Sequence, residues 1–408
     1  MNPNAGTLWR HPHWALAALL AGLGTLGPFA IDTYLPAFGG IAASLHATPA
    51  QMQQTLSAYL LGFAAMNLFH GAISDSLGRR PVVLVGLTLF TLATAGCALS
   101  DSIGMLVGFR ALQGMSAGAG SVVSRAIVRD MFPPEEAQKV MSMVTIFFGL
   151  APAVAPMLGG LVFVYAGWHA IFWLLTGIAA TMLLVNTRWL PESLAPAQRQ
   201  PFALRPLLQG YGQLVGNPRF VALVLASGVP FNGLFLYVLS APVWLGTHLQ
   251  LGPTQFFWFF SLEISGIMSG AWLSGRLAGR MPPRRQIRLG FSIMVAASII
   301  NVLANLMFTP HVSWAIWPVA MFSFGWSLTA PVVTLMVLDV VPSRRGMASS
   351  LQACIGSAAN GLVAGVLVPL VMHSTVGLAW ASMGLMSVGL VAWAWVRGHR
   401  EAGAEASN

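Results

Sequence analysis

Apolar runs of about twenty residues, each closed by a short polar break, recur along the whole chain. A helix needs about 20 apolar residues to cross the hydrocarbon core of a bilayer. The pattern predicts twelve crossings, at 14–38, 51–73, 81–100, 103–126, 139–164, 168–190, 218–242, 254–275, 287–308, 313–338, 347–372 and 376–396. The longest polar break, 191–217, holds Pro191, Pro196, Pro201 and Pro206 with Arg199 and Arg205, and reads as a linker. The expected architecture is an all-α polytopic membrane protein of twelve transmembrane helices in two six-helix pseudo-repeat halves. Residues 1–190 form the N-terminal half, 191–217 a cytoplasmic linker, 218–400 the C-terminal half and 401–408 a cytoplasmic tail. A weak echo between the halves supports the repeat: GAISDSLGRRP at 71–81 has a counterpart in AWLSGRLAGR at 271–280.

Composition sharpens this picture. The chain is 56% hydrophobic and 8% charged, against about 25% charged residues in a soluble domain, which excludes a soluble globular protein. The net charge of +9 is not a nucleic-acid footprint, because the basic residues sit in short clusters between apolar spans. With the N-terminus inside, the cytoplasmic loops and termini hold every Lys and Arg except Arg110, and the outer loops hold none. Positive charge marks the cytoplasmic side, so both termini are expected there. Cys97 and Cys354 fall within apolar spans and read as small apolar side chains. The first run is too long for a cleavable signal and contains Asp32. No phosphate loop is present, so nothing supports drive by ATP; no metal-ligand spacing and no catalytic pair inside the spans point to an enzyme.

Asp32, Arg110 and Glu263 lie well inside spans, where charge is costly and functional. Asp32 is flanked at four residues by Pro28 and Pro36. Pro36 has no N–H, so the carbonyl of Asp32 loses its intrahelical partner. Charge and freed backbone oxygen together suit a proton or cation. Arg110 shares a helical face with Gln113 and Gly114 and needs acceptors, which the Asp32 region is expected to supply. Glu263 follows the aromatic run FFWFF; a second acidic site, a proton carrier and a water-paired cavity residue are all open readings. Aromatic and amide side chains suited to an apolar cavity with few polar groups are Tyr34, Tyr59, Asn67, Phe231, Asn232, Phe235, Tyr237, Gln352 and Asn360, with Gln113.

Several stretches resemble one family. GAISDSLGRRP, with Gly71, Asp75, Gly78, Arg79 and Arg80, is similar to the loop signature between the second and third helices of the major facilitator superfamily. LVGFRALQGMSAG (106–118) resembles its fourth-helix motif. GLAPAVAPMLGG (149–160), with Gly149, Pro152, Pro156, Gly159 and Gly160, resembles the fifth-helix motif of the drug/proton antiporters; Ala151 and Ala155 depart from a pattern that often has Gly. DTYLPAF (32–38) and WLPESL (189–194) resemble the bicyclomycin/chloramphenicol-resistance branch.

The resemblance implies the major facilitator fold and proton-coupled efflux of small, largely apolar antibiotics by alternating access. It implies that Asp32, with Arg110, couples protons and that Asp75 gates the conformational change. A monomer in the bacterial inner membrane is expected, partnered by protons, a small-molecule substrate and lipid, with no cofactor beyond the proton gradient. The rival on the same fold is a proton-coupled exporter or importer of an amino acid, nucleoside or sugar.

Overall fold

The computed structural model describes residues 12–132, 134–341 and 345–405, apart from the side chains of residues 13, 134–139, 141–153 and 399–405. The described residues form helices and turns, with no strand among them. The longer helices are α1 (His13–Asp32), α2 (Phe38–Ser44), α3 (Pro49–Leu77), α4 (Arg79–Ala98), α5 (Ile103–Met131) and α6 (Pro134–Trp189). They continue as α7 (Leu204–Val215), α8 (Pro218–Leu239), α9 (Phe257–Leu277), α10 (Pro283–Met307), α11 (Val312–Val340), α12 (Arg345–Leu362) and α13 (Thr375–Glu405). Ten segments of the described chain are long and apolar enough to cross a membrane. The helix α5 is less apolar, because Arg110 and Gln113 interrupt it. The 56-residue α6 is broken at Gly167, whose φ of 77° belongs to the left-handed region. Counting α5, and dividing α6 at Gly167, gives the twelve crossings read from the sequence.

Local chemistry sets the helix ends. Pro49 opens α3 behind a reciprocal cap in which Gln51 N–H donates to Thr48 Oγ1 and Thr48 N–H donates to Gln51 Oε1. Asn217 caps α8 ahead of Pro218. The first crossing is not one rod. At Asp32 the α-helix stops, a tight turn runs through Leu35–Ala37, and α2 resumes at Phe38. Pro36 is the reason, since it lacks the donor a continuing helix needs. The stretch 191–217 also holds more order than a linker suggests: α7 lies in it, and Tyr211 hydrogen-bonds Ser350 of α12.

Two compact units divide the chain: Met1–Ala203 with Pro253–Phe257, and Leu204–Gly252 with Trp258–Asn408. Within the first, α3 packs along α5 and α1 along α6. Gly114 permits the first approach, because a Cβ there would collide with the backbone carbonyl of Tyr59. Gly159 permits the second, against the carbonyl of Thr33. Small residues let membrane helices close up in this way. In the second unit α8 packs along α13 and α11, and α10 along α11. Leu92, Leu184, Leu335 and Leu370 are among the many large apolar side chains left exposed, which suits a surface solvated by lipid.

Candidate functional site

Among the described residues, the first unit buries one cation completely. Arg110 has no exposed surface. Its guanidinium lies between two aromatic faces, with Cζ 4.8 Å from the Tyr34 ring centre and 4.5 Å from that of Tyr59. Both phenols turn their hydroxyls away from it. Tyr59 donates to Gly27 O at 3.1 Å. Tyr34 donates to Thr55 Oγ1 at 2.8 Å, because Thr55 gives its own proton to Met52 O. Arg110 Nη1 donates to Gln113 Oε1 at 2.6 Å and to Ala30 O at 3.3 Å. Gln113 passes the chain on by donating to Thr94 Oγ1 of α4. Burying an unpaired cation costs several kcal/mol. Two desolvated cation–π contacts at ~2 kcal/mol each, with charge-assisted hydrogen bonds, offset most of that cost. Nε and Nη2 have no hydrogen-bond acceptor among the described residues.

Asp32 is 5% exposed and closes α1. The next two turn bonds run from Thr33 N–H to Phe29 O and from Tyr34 N–H to Ile31 O. Its carboxyl group has no hydrogen-bond or ion-pair partner among the described residues. The sequence led us to expect Arg110 against Asp32 and its freed carbonyl. Arg110 instead takes the carbonyl of Ala30, two residues earlier, and makes no ion pair with Asp32. The turn is pinned from outside by α6. Pro156, Gly159 and Gly160 are buried there, and Gly159 abuts Thr33, the residue after Asp32. Gly149 and Pro152 of the same motif lie outside the described side chains.

The turn between α3 and α4 gathers a second set of charges. Gly78 holds φ at 103°, which favours glycine. Arg79 pairs with Asp75 at 2.6 Å and with Asp130, at the end of α5, at 2.9 Å, and donates to Ser74 Oγ. The Glu192 carboxylate accepts from the backbone N–H groups of Arg79 and Arg80, which start α4. It thus caps a helix N-terminus from a remote segment. Arg80 donates to Thr187 O, and Gly71 O accepts from Ser74.

The second unit carries its polar groups differently. Phe231 and Phe235 stack at 5.3 Å, and Trp326 leans on Phe231 at 4.8 Å. Gln352 of α12 donates to Ser227 Oγ of α8 and to Thr334 Oγ1 of α11, and the Trp326 indole donates to Ser227 O. Asn232 and Asn360 each have a buried side-chain oxygen without a partner. Tyr237 is buried in the core, accepting from Asn301 and set edge-on to Trp244. Glu263 is buried on α9.

The geometry therefore brings Asp32, Tyr34, Tyr59, Arg110 and Gln113 together in the first unit, and Phe231, Phe235 and Gln352 in the second. Asn67 stands apart from the first group, beside His70 and Gly118. Asp130, Glu192, Thr55, Thr94 and His70 were not foreseen. A signal existed for two of them: Asp130 follows Arg129 at the end of a span, and Glu192 stands inside WLPESL. The hydroxyl partners have none, since threonines are spread through the spans.

Residues 15–365 match the family model described as Major Facilitator Superfamily. The chain is 30% identical to the Multidrug resistance protein D of Escherichia coli K12, over 91% of this chain and 94% of that one. It is 30% identical to a Bicyclomycin resistance protein homolog of Haemophilus influenzae, over 84% and 83% of the two chains. A solved structure of the peptide transporter POT in complex with sulfate shares the fold, with a TM-score of 0.74 over 96% of each chain at 16% identity. The chain belongs to the major facilitator superfamily: it is a multi-pass membrane transporter of small molecules, not an enzyme.

Proposed function

We propose that this transporter is a proton-coupled multidrug exporter of the bicyclomycin/chloramphenicol-resistance branch, working by alternating access in the bacterial inner membrane with both termini cytoplasmic. The observation that carries the proposal is a buried, unpartnered Asp32 carboxyl at the end of the helix whose Ala30 carbonyl holds the fixed buried cation Arg110. A carboxyl group without a counter-ion in a span takes up and releases a proton as its surroundings change. The fixed charge of Arg110, walled by Tyr34 and Tyr59, gives the two protonation states different electrostatic energies without moving itself. Asp32 releases its proton toward the cytoplasm as drug enters and regains one from the outer side as drug leaves. Substrate and proton must favour opposite states of the carrier, or the cycle leaks. In the second unit, the Phe231–Phe235–Trp326 stack with Asn232, Gln352 and Asn360 offers the apolar walls and sparse polar groups of a drug site. The names of the relatives, drug-resistance proteins, support export over uptake.

The test is accumulation of a panel of lipophilic antibiotics in a bacterial host stripped of its own exporters. Expression should lower accumulation of at least one. No change across the panel would favour the rival, transport of an amino acid, nucleoside or sugar.

A further inference from the structure

Outside the charged network, the first unit holds a cavity of about 230 Å³ between α3, α4 and α5. Thirteen residues line it, and none carries a fixed charge. Leu77, Val85, Leu89, Leu112 and Met115 form part of its wall, and all five are exposed on the lipid-facing surface. The cavity therefore opens sideways to the bilayer. One lining residue does not fit an apolar groove. His70 is 5% exposed, and no hydrogen bond or ion pair reaches its imidazole among the described residues. Beside it, Asn67 Oδ1 is likewise buried without a partner. Both atoms close on Gly118 of α5: a Cβ there would lie 2.9 Å from His70 Nδ1 and 2.8 Å from Asn67 Oδ1. Gly118 thus lets α5 close against the Nδ1 edge of the ring, and Nε2 is the nitrogen left to the cavity that His70 lines.

We propose that this cavity is a lateral binding site for a small neutral lipophilic alcohol or phenol that enters from the bilayer and hydrogen-bonds to His70. A buried imidazole left unpaired is destabilising, and a ligand hydroxyl in the cavity corrects the defect by pairing with Nε2, as donor or acceptor according to the tautomer. The absence of charged lining residues selects a neutral ligand. The volume is below the roughly 300–1,000 Å³ of a site for a drug-sized molecule, which limits the ligand to a small body or one arm of a larger one. The inference does not depend on the direction of transport or on proton coupling.

Photolabelling of the purified full-length protein with a diazirine-bearing octanol tests it. Label should concentrate on the segments containing Met66 to Leu89 and Leu112 to Ala119. Excess 1-octanol should compete and octane should not. H70F keeps a ring of similar size and removes both nitrogens; labelling should fall about five-fold, the worth of one net hydrogen bond. V85W blocks the mouth from the exposed side and should remove the label, whereas L92W, exposed on the same helix but off the cavity wall, should not. V85W keeps the test decisive if H70F does not fold. Label spread evenly over lipid-facing helices, or octane competing as well as octanol, would overturn the proposal.

Discussion

The Arg110 cluster of the first unit and the Phe231 cluster of the second handle buried polarity in opposite ways. The first concentrates it: one cation, two tyrosine faces and a relay of Gln113, Thr94 and Thr55 hold Arg110 in a single geometry. The second disperses it: the half-buried rings of Phe231, Phe235 and Trp326 stack on one another, and Asn232 and Asn360 each keep an oxygen unpartnered among the described residues. A cation held by hydrogen bonds and two ring faces resists rearrangement, while open amides and ring faces accept varied ligands. In the proposed function, coupling belongs to the first unit and substrate choice to the second, and substitutions can break that division.

The largest effect is expected at Arg110. R110M keeps much of the side-chain length but removes the charge, both cation–π contacts and the bond to Gln113, so transport should be lost. R110K keeps the charge but not the planar stacking, and should lower stability by about 2 kcal/mol. Thermal unfolding in detergent, read beside drug transport, separates the two. An R110K protein with unchanged stability would show that charge alone matters there.

In the second unit, F231A removes a stack worth about 0.5–1.5 kcal/mol. It should raise KM for aromatic drugs up to about tenfold and leave the drug-to-proton ratio unchanged. A changed ratio would erase the division between the units. The smallest effect is expected at Glu192. E192Q keeps the shape and removes the charge at the start of α4, which should cost about 1 kcal/mol in thermal unfolding and slow transport only modestly.

Much of this was legible in the sequence. Hydrophobic runs located the crossings, and a misplaced charge located Asp32 and Arg110, because a bilayer makes both signals loud. Pro36 marked a freed carbonyl at Asp32, but the hydrophobic pattern ran 14–38 as one crossing and missed that the helix stops there. Partners were harder. The sequence sent Arg110 to the carbonyl that Pro36 frees, yet the guanidinium reached Ala30 and two ring faces, a choice set by helix rotation and spacing that no linear pattern records. His70 escaped notice for a related reason. A single histidine in a span means little until its neighbours prove to offer it no hydrogen bond.

The central claim is that Asp32 carries the exchanged proton. Inverted membrane vesicles with an imposed pH gradient, given a drug that the accumulation panel identifies, test it most directly. Wild-type protein and E263Q should dissipate the gradient when drug is added; D32N should bind the drug and leave the gradient intact. Dissipation by D32N at the wild-type rate would contradict the account and move the proton to another group, with Glu263 the first to examine.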